Sequence, residues 1–161
     1  MRGIAVRPRI DLECCNTLKR YYAQLQSLQN RFPLSSENEL LNFSWKDIYS
    51  GQTVASSNIK YEMAAVLFNI GALHTKLAVE EARNNPESMK IACTHFQCAS
   101  WAFGQLKDTY TLVLKGDMST EILIFMQHMC FAQAQECILE KSLADNRKSA
   151  IIAKVAAQVR C

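Results

Sequence analysis

Between Tyr61 and Ala78 the chain reads YEMAAVLFNIGALHTKLA, with Met63, Val66, Leu67, Ile70, Leu73 and Leu77 at spacings of three and four. That spacing draws one broad apolar stripe along a helix, so the fold has to bury the segment. Ala64, Ala65, Gly71 and Ala72 keep the adjacent surface nearly flat, and a second helix can approach closely there. The stretch also carries Glu62, Asn69, His74 and Lys76, and buried polar groups need partners. Asn69 and Tyr61 are expected to tie neighbouring segments together by hydrogen bonds, with His74 and Lys76 reaching the rim.

The same rhythm recurs on both sides. Leu12, Cys15, Leu18, Tyr22, Leu25 and Leu28 predict a helix from about Ile10 to Gln29, closed by Phe32-Pro33. The polar run Ser35 to Glu39 reads as a loop, and NFSWKDIYSG over 42–51 as a short strand or extended element. Asn84-Asn85-Pro86 breaks the chain, with Pro86 suited to the first turn of the next helix. That helix, Glu87 to about Tyr110, presents Ile91, His95, Cys98, Ala102, Phe103 and Leu106. After Lys115-Gly116-Asp117, another begins near Ser119, with Ile122, Phe125, Met126, Met129, Cys130, Gln133 and Cys137 along it. Asp145-Asn146 marks its end or a bend, and Arg147 to Cys161 is again helical. The expected fold class is all-α: antiparallel helices in a bundle or solenoid, plus one short extended element. The last helix is still periodic at Cys161, so the chain is expected to be part of a longer domain.

Composition narrows the function classes. The 161 residues carry a net charge of +3, too small to announce a nucleic-acid or membrane partner. MRGIAVRPR lacks the apolar centre of a secretory signal, and the run Met63 to Leu73 is too short to cross a membrane. Seven cysteines, with no CxxC pair, read as reduced thiols of a cytosolic protein, mostly filling small buried positions.

Catalytic and metal patterns are missing. His74, His95 and His128 lie on three different predicted helices without a ligand pair, so no metal or cofactor is expected. Cys14 and Arg20 match C-x5-R in letters, as in a cysteine-phosphatase loop. A phosphate loop needs glycine to curl around its anion, and CCNTLKR has none and sits inside a helical pattern. Neither a Gly-rich phosphate loop nor a nucleophile elbow is present, which leaves recognition by a helical surface.

DNRKSAIIAKVAAQV, Asp145 to Val159, is the most informative surface. At about 100° per residue, Val155 falls about 40° from Ile151, and Ile152 about 100°. Lys154 and Arg147 sit just beyond the Ile151 edge, and Lys148 inside the arc. Ile151 and Val155 therefore form an apolar margin bordered by positive charge. Two readings fit: a two-sided core helix whose lysines snorkel, or a half-exposed groove wall suited to an acidic amphipathic helix.

FSWKDIYSG, IKYEMAAVLFNIGALHTKLA, MKIACTHFQCASWAF and AQAQECILEKSLADNRKSAIIAKVAAQ together resemble the Bro-one domain of endosomal adaptor proteins. CTHFQCA, the DMS of Asp117 to Ser119 and QEC-x-LEKS-x2-DNRKS resemble most the branch that carries a non-receptor tyrosine phosphatase-like domain far downstream. The resemblance implies a curved, tetratricopeptide-like helical domain with a small β element near Trp45. Residues 1–161 would be a partial Bro-one domain, without the family's N-terminal arm and C-terminal helices. It implies a non-catalytic adaptor, cytoplasmic and recruited to endosomes, where peripheral membrane association runs through its partners. The implied ligand is the C-terminal amphipathic helix of an ESCRT-III subunit of the charged multivesicular body protein 4 type, with other sorting proteins sharing the patch. By motif the patch comprises Ile138, Ile151 and Val155, with Lys154 beside it and Lys90 on another helix. Two rivals remain: a rhophilin-like signalling scaffold, and an enzyme using Cys14.

Overall fold

Three asparagines punctuate the helices. The Asn58 side chain accepts from Lys60 N (2.9 Å) and starts one. Asn85 accepts from Glu87 N (3.0 Å) and Ser88 N (2.9 Å) and starts another, with Pro86 in its first turn. Asn146 adopts φ 49° and ends a third. The computed structural model describes residues 1–31 and 42–159. Its elements are α1 (Arg2–Val6), α2 (Leu12–Arg31), β1 (Phe43–Lys46), β2 (Thr53–Ser56), α3 (Ile59–Glu80), α4 (Pro86–Thr109), a 3-10 turn (Gly116–Met118), α5 (Thr120–Ala144) and α6 (Ser149–Gln158). The loop expected over Ser35 to Glu39 and the last residue, Cys161, lie outside the described residues.

Each long helix packs mainly on its neighbours in the chain: α2 on α3, α3 on α4, α4 on α5, and α5 on α6. This succession is the all-α arrangement the periodicity predicts, with one small sheet added. That sheet is an antiparallel hairpin, Phe43 opposite Ser56 and Trp45 opposite Val54. Its second strand, Thr53–Ser56, was not foreseen, because four mostly exposed residues carry no buried alternation. Asp47 closes the hairpin turn by accepting from Ser50 N (2.7 Å) and Tyr49 N (3.0 Å). Its other oxygen accepts from Asp117 N (2.9 Å), while Ile48 N donates to Asp117 (2.9 Å). Those backbone donors hold the Asp47 carboxyl below its ordinary pKa. Gly116 makes the latch possible: φ is +60°, and a Cβ there would strike Asp47.

α3 is buried nearly all round, from Ile59 to Ala78. Gly71 is where α4 comes closest: a Cβ on it would lie 2.9 Å from the Phe103 ring and 3.3 Å from the Ala102 methyl. The polar residues of α3 divide differently from the expectation. Asn69 does tie a neighbour, donating to Ala5 O (2.9 Å). Tyr61 is buried, but among the described residues its hydroxyl has no partner. His74 does not reach the rim; it is 4% exposed, while Lys76 is exposed.

Two predicted stripes are rotated in part. On α4 the predicted Ala102, Phe103 and Leu106 are buried, joined by Ala92, Phe96, Ala99 and Ser100, while Ile91 is exposed and His95 and Cys98 are half-buried. On α5 the buried line is Leu123, Cys130, Ala134 and Cys137; Phe125 is 65% exposed and Met129 also stands out. Close approach decides this. Ala92 on α4 and Ala134 and Cys137 on α5 let the axes draw together around Phe96, and at Gly104 the Gln127 side chain of α5 fills the space a Cβ would take. Against the expectation that no segment is long and apolar enough to cross a membrane, α5 is so by length and composition. Here one side of it packs along α4 and another against α6.

Candidate functional site: the α4, α5 and α6 surface

The end of α5 is anchored from both flanks. Ala92 and Phe96 of α4 pack with Ala134 and Cys137 of α5 in one small core. Arg83, in the α3–α4 connection at φ 48°, reaches across to α5 and lies 3.5 Å from Glu140 and 3.9 Å from Glu136. Sequence reasoning missed Arg83, since nothing local distinguishes it from a solvated turn residue.

α5 then stops in a Schellman motif. Asn146 N donates to Leu143 O (3.0 Å) and Arg147 N to Ser142 O (3.1 Å), with Asn146 in the left-handed conformation that asparagine tolerates. Asp145-Asn146 is thus a stop between two helices rather than a bend. The chain turns there and packs α6 against α5. No residue of α6 is fully buried. Within this chain α6 is covered on one side only, by α5, which leaves the margin of Ile151 half exposed.

The sequence-predicted residues fall on three consecutive helices. Ile138 sits half-buried on α5; Ile151 is 44% exposed and Val155 half-buried on α6, the helix that packs beside it. Lys154 is exposed on α6. Lys90 lies exposed in the second turn of α4, 4.0 Å from Glu87, on the half of α4 that packs against Ala134 and Cys137. These helices pack in succession, α4 on α5 and α5 on α6, and each carries one or more of the predicted residues exposed or half-buried.

The rival chemistry has no geometry. Cys14 is 3% exposed inside α2, and its backbone N–H donates to Asp11 Oδ1 (2.6 Å) as part of the helix start. Among the described residues no phosphate-binding loop surrounds it. The cysteines that carry a pKa shift, Cys15, Cys93, Cys130 and Cys137, are pushed up by burial, opposite to what a nucleophile needs.

Comparison with known proteins agrees with this architecture. A family model described as a BRO1-like domain matches residues 1–160. Tyrosine-protein phosphatase non-receptor type 23 of Homo sapiens is 45% identical over 160 residues, 99% of this chain and 10% of that protein. Vacuolar protein-sorting protein BRO1 of Gibberella zeae is 33% identical over 141 residues, 88% of this chain and 14% of the relative. The solved ALIX BRO1 CHMP4C complex contains a chain that superposes with a TM-score of 0.88 at 35% identity, over 98% of this chain and 48% of that one. The chain thus spans a small part of these curated relatives, and the phosphatase name concerns the full-length relative. With the motifs, the helical succession and a match over nearly every residue in agreement, the chain belongs to the BRO1-like domain family.

Proposed function

We propose that this chain is the non-catalytic, helix-binding part of an endosomal adaptor, and that it holds the C-terminal amphipathic helix of an ESCRT-III subunit of the CHMP4 type. The observation that carries the reading is the half-exposed margin of α6, where Ile151, Val155 and Lys154 stand on a helix packed against α5, which carries the half-buried Ile138, with Lys90 exposed on α4. An amphipathic helix lays its apolar face into such a groove and its acidic residues against the basic rim. Full burial of an exposed Ile or Val is worth about 1.5–3 kcal/mol, and covering these three adds only the share still exposed, about half or less of that each. The similarity to the BRO1 chain of the ALIX BRO1 CHMP4C complex supports the choice of partner. In this reading the protein is cytoplasmic and reaches endosomes through its partners in multivesicular body sorting, where other sorting proteins compete for the same patch.

The deciding experiment titrates a labelled peptide of the CHMP4C C-terminal helix with the parent chain and with Ile151→Asp/Val155→Asp, following helicity by circular dichroism. Binding by the parent, lost in an equally helical double variant, establishes site and partner together. A well-folded parent that does not bind sinks the reading.

A further inference from the structure

α5 presents Ile124, Phe131 and Ile138 at intervals of seven residues. Seven residues turn a helix through about 700°, within about 20° of two full turns, so the three side chains share one stripe. That stripe is offset from the α4-facing line of Leu123, Cys130, Ala134 and Cys137. Accordingly Ile124 is 38% and Phe131 48% exposed, although both are large and apolar. α4 supplies a second wall. Ser100 Oγ donates to Gln127 O (3.0 Å), which fixes the register of the two helices. The residue after Ser100 is Trp101, so it stands at a level between Phe131 and Ile124, and it is 60% exposed. α6 is ten residues long, about 15 Å, and flanks only part of the 25-residue α5. Scattered exposed apolar residues need no explanation, but an aligned Ile, Phe and Ile with a Trp beside them form a patch.

We propose that the helix-binding surface continues from Ile138 along α5 to Phe131, Trp101 and Ile124, and that one long acidic amphipathic helix occupies all of it. The proposal rests on the reading that Ile138, Ile151 and Val155 bind such a helix, and it adds the length and the main anchors of the partner. Two features select that occupant. The stripe is continuous through Ile138 with the proposed groove. Lys148 at the N-cap of α6, Lys154 on α6 and Lys90 of α4, the last 4.0 Å from Glu87, are exposed basic side chains on the helices that flank the Ile138 end of α5, available to acidic residues of the partner. Ile124 to Ile138 spans about 21 Å, so the partner needs about 14 helical residues beyond those that meet α6. Trp and aromatic anchors dominate binding where they become fully covered, which makes Trp101 and Phe131 the expected hot spots of this extension.

The test uses two labelled peptides from the CHMP4C C-terminal helix, one of about 12 and one of about 26 residues, the shorter reaching about 18 Å. Each is titrated by anisotropy against the parent, Trp101→Ala/Phe131→Ala, Phe131→Leu and Ile151→Asp, with thermal melts confirming folding at these exposed positions. The expected result is that the long peptide binds the parent at least about tenfold more tightly than the short one, and that Trp101→Ala/Phe131→Ala removes this advantage without weakening the short peptide. Phe131→Leu should retain most of it, and Ile151→Asp should weaken both. If the long peptide ignores Trp101→Ala/Phe131→Ala while Ile151→Asp still abolishes binding, the extension is wrong and the proposed function stands. Failure of the parent to bind either peptide overturns both. Sedimentation showing a parent dimer that Trp101→Ala dissociates would also overturn the extension, by assigning the patch to self-association.

Discussion

Trp45 donates its indole N–H to the Glu62 carboxylate at 2.6 Å, joining the hairpin to the most buried helix of the chain. Glu62 is fully buried and accepts also from Tyr21 Oη at 2.8 Å and Arg2 Nε at 3.1 Å. One carboxylate on α3 thereby gathers α1, α2 and β1. A buried charge with three donors around it is tolerable only while the donors remain. Glu62→Ala leaves them unpaired, and its expected cost is about 3–5 kcal/mol, measured by urea unfolding. Tryptophan fluorescence should shift to the red in the variant's native baseline as Trp45 loses its partner. A loss below 1 kcal/mol would show that water replaces the carboxylate.

At Gly71 two effects oppose each other. Alanine would improve helix propensity by about 1 kcal/mol. Its methyl would press on Phe103, which is 2% exposed and packed edge-on against Phe68 at 5.7 Å, so the ring has little room to retreat. Overpacking costs about 1–3 kcal/mol, so Gly71→Ala should be net destabilising and Gly71→Val more so. Chemical denaturation that finds Gly71→Ala more stable than the parent would place the α3–α4 contact further apart than described.

The pH dependence has a defined source. His74 Nδ1 lies 2.8 Å from His95 Nδ1, and His74 Nε2 lies 3.3 Å from Cys15 Sγ. One imidazole must donate and the other accept, so the pair cannot carry two protons on the facing nitrogens. Burial first, then Lys19 and His95, lowers the His74 pKa to about 4. His95 is lowered too, by burial and by Lys19 against the opposing pull of Glu81. The unfolded state, with an ordinary pKa near 6.5, therefore binds more protons below that value. This contribution to stability is complete above about pH 6.5 and falls away as the pH drops toward 4, by a few kcal/mol at most. The parent should lose more stability than His74→Leu/His95→Leu over that interval. Parallel curves would show that the pair does not titrate on unfolding.

Lys154 and Lys90 act at the rim of the proposed groove, where charge steers association more than it adds affinity. Lys154→Glu should slow association with an acidic helix peptide and flatten its dependence on ionic strength, leaving dissociation nearly unchanged. Stopped-flow measurements between low and physiological salt separate the two rates. An effect confined to dissociation would instead place Lys154 in a desolvated contact.

How much of this was legible beforehand follows from the range of each interaction. The four long helices show in the spacing of apolar residues to within a few residues at their ends, and the Asn85-Pro86 boundary in cap chemistry, because hydrogen bonds four residues apart decide both. Asp145-Asn146 reads only as an end or a bend, which the left-handed Asn146 settles as an end. The same spacing draws the apolar margin of α6 with lysines beside it, the surface proposed above as the binding site. What the spacing could not assign was which side of α4 and α5 faces inward. Large residues predicted Ile91 and Phe125 inside, yet the shared core of α4 and α5 uses Ala92, Phe96, Ala134 and Cys137. The chain itself determined that it makes helices and where they stop. Only the tertiary structure decided that Glu62 meets Trp45, that His74 meets His95, and that Arg83 reaches Glu140, because those partners come together only once the helices between them have packed.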